Sequence, residues 1–363
     1  MECGCQTVTT LEEAHRFIVD CFKAVGVSEE YAGIVSDNLV EADYRGHYSH
    51  GMNRLELYIN DILGGTVDPK AVCSVEKQTV ATALVNGNNG LGAVVGKFCM
   101  DLALEKAREA GIGMVVVHDS NHYGIAGIYA LQAAKKGFMG LSFTNTSPCM
   151  VPTRAKDAAL GTNPLSFAAP GLNGDSFVLD MATTCVAMGK IEIQERKGHP
   201  IPEGWALNSQ GKIETDAKVA REASRMLPLG GEEINSGYKG YGLALMVEIL
   251  CGILSGSAYG PNIPRWGSHK VIANLGQAFI AIDPNNFVPD FEGRLTTLMD
   301  YLRNMAPVES DKPVLVHGDP ERTHMSEVDK RGGLCYVSNQ LEANAQLAKR
   351  LKVKPMASTV ETK

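Results

Sequence analysis

The chain has 363 residues, 44% of them hydrophobic, and a formal net charge of -7. Such a length and apolar content suffice for a large core, built as two or three domains or as one intertwined unit. The acidic balance excludes the broad basic surface on which phosphate-backbone binding depends, so no nucleic-acid partner is expected. The nine cysteines are scattered, with only Cys3 and Cys5 within four positions of each other. That is neither a disulfide framework nor a pair of metal knuckles, and most are read as reduced residues of a cytoplasmic protein. The first twenty residues carry Glu, Asp and His where a secretory leader needs an apolar block.

Thr10 followed by Glu13 is a capping-box signature, and Phe17, Ile18, Cys21 and Phe22 recur at helical spacing up to Gly26. Ser28 caps a second helix striped by Tyr31, Val35 and Leu39, and a third helical pattern begins near Ser49. From Val72 the texture becomes short β-branched runs punctuated by glycine (VATALVNG, GIGMVVVHD, FMGLSFTNT, LSFAAPG, DSFVLDMATT), with helical patterns at 93–110 and 126–136. The alternation predicts a mixed α/β (α+β) sheet region. A polar, loop-rich stretch at 196–237 precedes an apolar run at 241–255, which Glu248 interrupts and which is too short to span a bilayer, so it reads as a buried helix and no membrane partner is expected. The strand QAFIAID and a helix at 291–305 follow, then a loop and a terminal helix at 339–351. The expected division is a helical region at 6–71 packed with 306–355, a mixed α/β region at 72–305, and flexible tails at 1–5 and 356–363.

Three segments carry side chains suited to chemistry. In YSHGMNRLELYIND, His50, Arg54 and Tyr58 stand at i, i+4 and i+8, offering one helical face with an imidazole, a guanidinium and a phenol. A guanidinium can hold a carboxylate through two parallel hydrogen bonds while an imidazole reaches the adjacent oxygen; a solvated polar face has the same spacing. In DSNHYG, His122 follows an apolar strand, where α/β enzymes place their chemistry, and its ordinary pKa suits proton exchange with a carbonyl oxygen. In GYKGYGLALMVEIL, Tyr238 and Lys239 sit among glycines at a helix start, a place suited to pyrophosphate. A fourth segment, VNGNNGLGAVVG, looks like the obvious dinucleotide loop. Its spacing is G-x-G-x-x-x-G, however, and Asp119 lies 27 residues beyond Gly92, later than a ribose-binding acid should. His118 and His122 have metal-compatible spacing without further ligands nearby, and no metal is expected.

The blocks RGHYSHGMNRLELYI, VNGNNGLG, SNHYGIAGIYA, FTNTSPCMVP, LGTNPLSFAAP, LDMATT, IPEGWALN, LPLGG, GYKGYGLAL and GQAFIAID, taken in order, resemble the type 2 malate/L-lactate dehydrogenase family, which also contains ureidoglycolate and sulfolactate dehydrogenases, diketogulonate reductase and Δ1-piperideine-2-carboxylate reductase. The resemblance implies an NAD(P)-dependent oxidoreductase of small 2-oxo or 2-hydroxy acids on a non-Rossmann fold, forming a homodimer with its active site near the subunit interface. Carried over, His122 resembles the general acid/base and Arg54 the carboxylate anchor, with Tyr58 nearby. Ser49 and His50 resemble the other active-site pair, and in some members the position of His50 is the proton donor. The strand Ser176, Phe177, Val178, Leu179, Asp180, Met181 and Ala182 resembles a cofactor contact, Tyr238 and Lys239 a second, and Gly318 with Asp319 a third; Asn145 and Thr146 are placed with them. Members commonly show Pro-Gly-Glu where this chain has His317-Gly318-Asp319, which leaves NAD or NADP open as cofactor. The resemblance also makes VNGNNGLG a structural or pocket-lining turn in place of a cofactor cradle. Reduction of a cyclic imino acid, or cofactor binding without catalysis, are the alternatives.

Overall fold

The computed structural model describes residues 7–265, 267 and 269–360. In chain order, strand β1 (Thr7–Thr9) leads into helices α1 (Leu11–Ala24) and α2 (Glu29–Tyr44), and a tight turn at Met52–Arg54 opens α3 (Leu55–Leu63). Strands β2 (Ser74–Gln78) and β3 (Thr82–Asn86) precede α4 (Gly92–Ala110), β4 (Ile112–Ser120), α5 (Gly127–Ala134), β5 (Met139–Thr144), β6 (Leu165–Pro170) and β7 (Ser176–Met181). Next come α6 (Met188–Lys197), a small ribbon of β8 (Ala206–Leu207) and β9 (Ile213–Glu214), α7 (Ala217–Ala223) and α8 (Gly237–Glu248). After these stand β10 (Leu275–Ile282), α9 (Phe291–Arg303), α10 (Asp319–Arg331), β11 (Leu334–Cys335), α11 (Ser338–Leu351) and β12 (Thr359–Val360).

The caps act as their side chains dictate: Thr10 Oγ1 accepts the Glu13 N–H at 3.2 Å, and Ser28 Oγ accepts that of Tyr31 at 3.2 Å. The apolar stripes they start, including Phe17, Ile18, Phe22, Val35 and Leu39, enter one core with Leu55 and Ile59 of α3. Val328, Leu334, Tyr336 and Leu347 join that core from the far end of the chain, and β1 pairs antiparallel with both β11 and β12. Thr359 and Val360, expected in a flexible tail, thus form a strand. The expected tail at 1–5 lies outside the described residues.

The main sheet has seven strands in the order β2-β3-β4-β10-β5-β6-β7. Only β3 and β4 run parallel; every other neighbouring pair is antiparallel. A Rossmann unit needs successive parallel strands joined by crossover helices, so this mixed α/β fold is not one. Side chains alternate across the sheet as pleating requires. Val115, Val117 and Phe279 face α4 and α5 with Met100, Leu104 and Tyr129, whereas Val116, Phe143 and Ala278 face the other way, toward Val247 and Cys251. Each of the valine, leucine, methionine and phenylalanine side chains among them contributes about 1.5–3 kcal/mol when fully buried.

Several elements depart from the sequence reading. The segment expected to be loop before α11 contains α10, which buries only Val328 and therefore has no apolar stripe to read. The loop-rich stretch holds α7, capped by Asp216 on Val219 N–H at 2.9 Å. The apolar run expected as a buried helix is α8 continued by π-helical turns at Ile249–Ile253, and one side of it, including Leu245, Ile249 and Ile253, is exposed. Six cysteines, Cys21, Cys73, Cys99, Cys149, Cys185 and Cys251, are free, whereas Cys335 is disulfide-bonded. Among the described residues no helix is long and apolar enough to cross a membrane.

Candidate active site

His122 sits on the loop that leaves β4, and the protein grips that loop from several sides. Gln277 Nε2 donates to Asn121 O at 2.8 Å, Asn38 Nδ2 donates to Tyr123 O at 3.1 Å, and Asp180 Oδ2 accepts the Gly127 N–H at 2.8 Å where α5 begins. VNGNNGLG is one of the grips. Asn121 Nδ2 donates to Gly90 O at 2.8 Å, and a Cβ on Gly92 would lie 2.3 Å from the carbonyl oxygens of both Asn121 and His122. Its glycines are filled by backbone and by Tyr129, whose ring would be 2.6 Å from a Cβ at Gly96. The apparent dinucleotide loop is a close-packed support for the His122 loop.

The other half of the site is the turn before α3. His50, Arg54 and Tyr58 do not share one helical face as expected: His50 stands in a turn, Arg54 closes a tight turn at Met52–Arg54, and only Tyr58 is inside α3. Gly51, with a non-helical backbone, precedes the tight turn, and a Cβ there would lie 1.8 Å from Asp43 Oδ1, so the position takes glycine. The side chains nevertheless converge. Tyr58 Oη is 2.6 Å from His122 Nδ1, and the His50 and His122 rings stack with centroids 5.6 Å apart. Ser49 Oγ is 2.8 Å from His50 Nδ1, while Arg54 Nε donates to Ser49 O at 2.5 Å.

Burial pulls the His50 imidazole down to about 3, with the cationic Arg54 and neighbouring His47 adding to the effect. Burial, then His50 and Arg54, holds His122 well below its ordinary value. Both imidazoles are therefore neutral near pH 7. Burial raises the Tyr58 phenol, against the influence of Arg54. Among the described residues the site brings Arg54 beside two neutral imidazoles and a phenol, an arrangement suited to a small anion. Sequence reasoning missed α6: Gly189 packs near Ser49, and Glu192 acts electrostatically on Arg54.

The strand Ser176–Ala182 is the sheet edge β7 and its exit. Val178 N–H donates to His317 O at 3.0 Å, so β7 adjoins the Gly318–Asp319 turn. Asp319, however, already accepts from Val316 N–H, from Arg303 through Nε and Nη2 at 3.0 and 2.8 Å, and from Arg322 at 2.5 Å. Burial opposes ionisation, but these donors outweigh it and hold the carboxyl well below the usual range. Asp180 is likewise engaged, at the start of α5. Tyr238 and Lys239 are exposed on the first turn of α8. That turn sits on the segment after β7, since Gly240 packs on Leu229, whose N–H bonds Thr183 O at 2.8 Å. Asn145 is fully buried, donating to Glu248 Oε1 and Ala258 O and accepting from Gly276 N–H. Thr146 is half-buried against Thr162 and Gly161.

The same arrangement of elements recurs in known proteins. Residues 9–343 match the model of the family described as malate/L-lactate dehydrogenase. The malate dehydrogenase of Pyrococcus abyssi is 40% identical over 346 residues, covering 94% of each chain. The crystal structure of malate dehydrogenase from Entamoeba histolytica superposes with a TM-score of 0.91 at 31% identity, covering 96% of this chain and 99% of that one. A Δ1-piperideine-2-carboxylate reductase from Pseudomonas syringae superposes with a TM-score of 0.83 at 28% identity, covering 94% and 99%. With the antiparallel-rich sheet, the paired imidazoles and the half-buried guanidinium all falling inside the matched span, this chain belongs to the malate/L-lactate dehydrogenase family and is an oxidoreductase acting on hydroxy acids.

Proposed function

We propose that the enzyme moves a hydride between a nicotinamide nucleotide, NAD or NADP, and a small 2-oxo/2-hydroxy acid such as malate, with His122 handling the proton and Arg54 the carboxylate. The observation that carries this reading is the Tyr58–His122 contact of 2.6 Å, with His50 stacked on the same imidazole. A phenol both donates and accepts, so Tyr58 can follow Nδ1 through either protonation state while Nε2 serves the substrate oxygen. The neutral imidazole is the base that alcohol oxidation needs. A carboxylate on Arg54 offsets the cation that depresses His122, favouring the imidazolium that reduction needs.

The donor set fits the cofactor. Exposed Lys239 at a helix start suits a pyrophosphate, and the edge strand Ser176–Ala182 beside the Gly318 turn offers main-chain groups to the rest of the nucleotide. When bound, the nicotinamide supplies or takes up the hydride. The exposed apolar side of the π-helical turns that continue α8 supports the homodimer: Ile249 and Ile253 are 49% and 55% exposed.

The test is oxidation of NADH or NADPH by a panel of oxaloacetate, pyruvate and a cyclic imine. Arg54→Ala is expected to raise the acid's KM about 10- to 100-fold through loss of a charge-assisted pair, and His122→Ala to cut kcat by about 10²–10⁴. Turnover abolished by His50→Ala, with His122→Ala only weakening substrate binding, exchanges the two roles. Likeness to the piperideine carboxylate reductase favours a second reading, imine reduction. Turnover of the cyclic imine alone selects it.

A further inference from the structure

The turn that carries His50 and Arg54 has an unusual cap. The first N–H groups of a helical turn lack intrahelical partners and take them from a preceding side chain. Gly51, in the capping position, has no side chain. Its place is filled from another helix: Asp43, in the last turn of α2 and 1% exposed, accepts the Met52 N–H on Oδ2 at 2.9 Å. The same oxygen accepts the Tyr336 hydroxyl at 2.8 Å, and Tyr336 follows β11 near the other end of the chain. Asp43 Oδ1 is buried with no hydrogen-bond partner among the described residues. It occupies the volume a Cβ at Gly51 would need.

A buried carboxyl with one unsatisfied oxygen is costly, and an apolar residue of similar size would avoid that cost. Here the carboxyl performs a task an apolar residue cannot. It holds the turn closed by Arg54 N–H on Gly51 O at 2.9 Å, from which Arg54 Nε reaches back to Ser49 O. We infer that Asp43 is a positioning residue for the hydroxy-acid site: clamped by Met52 and Tyr336, it fixes the Gly51 turn that aims His50 and Arg54. The C-terminal segment thereby tethers the substrate-binding turn. This rests on the proposed role of Arg54.

The full-length protein is used for the test, with acid KM, kcat, NADH affinity by fluorescence and melting temperature measured together. Asp43→Ala, which strands the Met52 N–H, is expected to raise the KM for the 2-oxo acid about tenfold or more while NADH affinity stays within about twofold. Asp43→Asn keeps an acceptor and recovers most of that loss; Tyr336→Phe raises KM about threefold. A merely structural role would lower the melting temperature and the active fraction without moving KM. Unchanged KM in folded Asp43→Ala, or Asp43→Asn as impaired as Asp43→Ala, overturns the inference. Should Asp43→Ala not fold, unchanged KM in Tyr336→Phe overturns it instead. Arg54→Ala separates the two claims: if it leaves KM unchanged, both fall; if it raises KM and the Asp43 variants do not, only the positioning role falls.

Discussion

His122 and Tyr58 are 64 residues apart in sequence and meet at 2.6 Å, and the environment of that contact decides what either group can do. Residue types were legible beforehand, because an imidazole at a strand end and a guanidinium about one helical turn from a phenol already suggest an acid/base and an anion anchor. Protonation was not, since it depends on burial and on cations brought in from other segments. Asp43 makes the point testable. Burial, against the Met52 N–H and Tyr336 hydroxyl, raises its carboxyl to about 7, compared with about 3.9 unfolded. Between those values the folded state binds more protons than the unfolded one, so the stabilisation is full below about pH 4 and lost as pH rises through about 7. Melting temperatures of wild type and Asp43→Asn should therefore diverge in favour of the variant from pH 4.5 to 7.5, by roughly several degrees, and level off above. A difference that is flat, or that shrinks with pH, would contradict this.

At the scale of elements, glycine is where sequence and structure part company. Gly92 reads as part of a nucleotide loop, yet it is the point at which α4 presses on the loop bearing His122. Gly92→Ala should displace that loop, lowering stability by about 1–3 kcal/mol and cutting turnover more than cofactor affinity. Intact turnover would show that the loop tolerates the shift. Gly242 in α8 is the contrasting case, with nothing within 4 Å of an added Cβ. Gly242→Ala should stabilise the helix by about 0.5–1 kcal/mol, and a simultaneous loss of NADH affinity would place the cofactor along that face. Helices with caps and apolar stripes, such as α1, were readable from their residues. α10 was missed for want of a stripe, although Pro320 at its start and Gly332 at its end are boundary signals. β2 was missed because its five residues are all exposed, so no alternation marks it.

For the whole molecule, the proposed homodimer is supported by the apolar side of α8 and its π-helical continuation, which the single chain leaves uncovered. Ile249→Glu should convert the dimer to monomer in light scattering after size exclusion and lower stability, whereas retention of the dimer would move the interface elsewhere. Composition, caps and β-branched runs were enough to determine that the chain forms a mixed α/β protein with helical ends, since those signals are local and each element carries its own. The ordered motif blocks also identified the family. Strand order lay beyond such reading: β10 enters the sheet between β4 and β5, and nothing in QAFIAID names its neighbours. Pairing partners are chosen by the burial of whole faces, a global property. For the same reason only the tertiary structure could show VNGNNGLG packed on the His122 loop, Asp319 as the partner of two arginines, and Asp43 as the cap of a turn nine residues away.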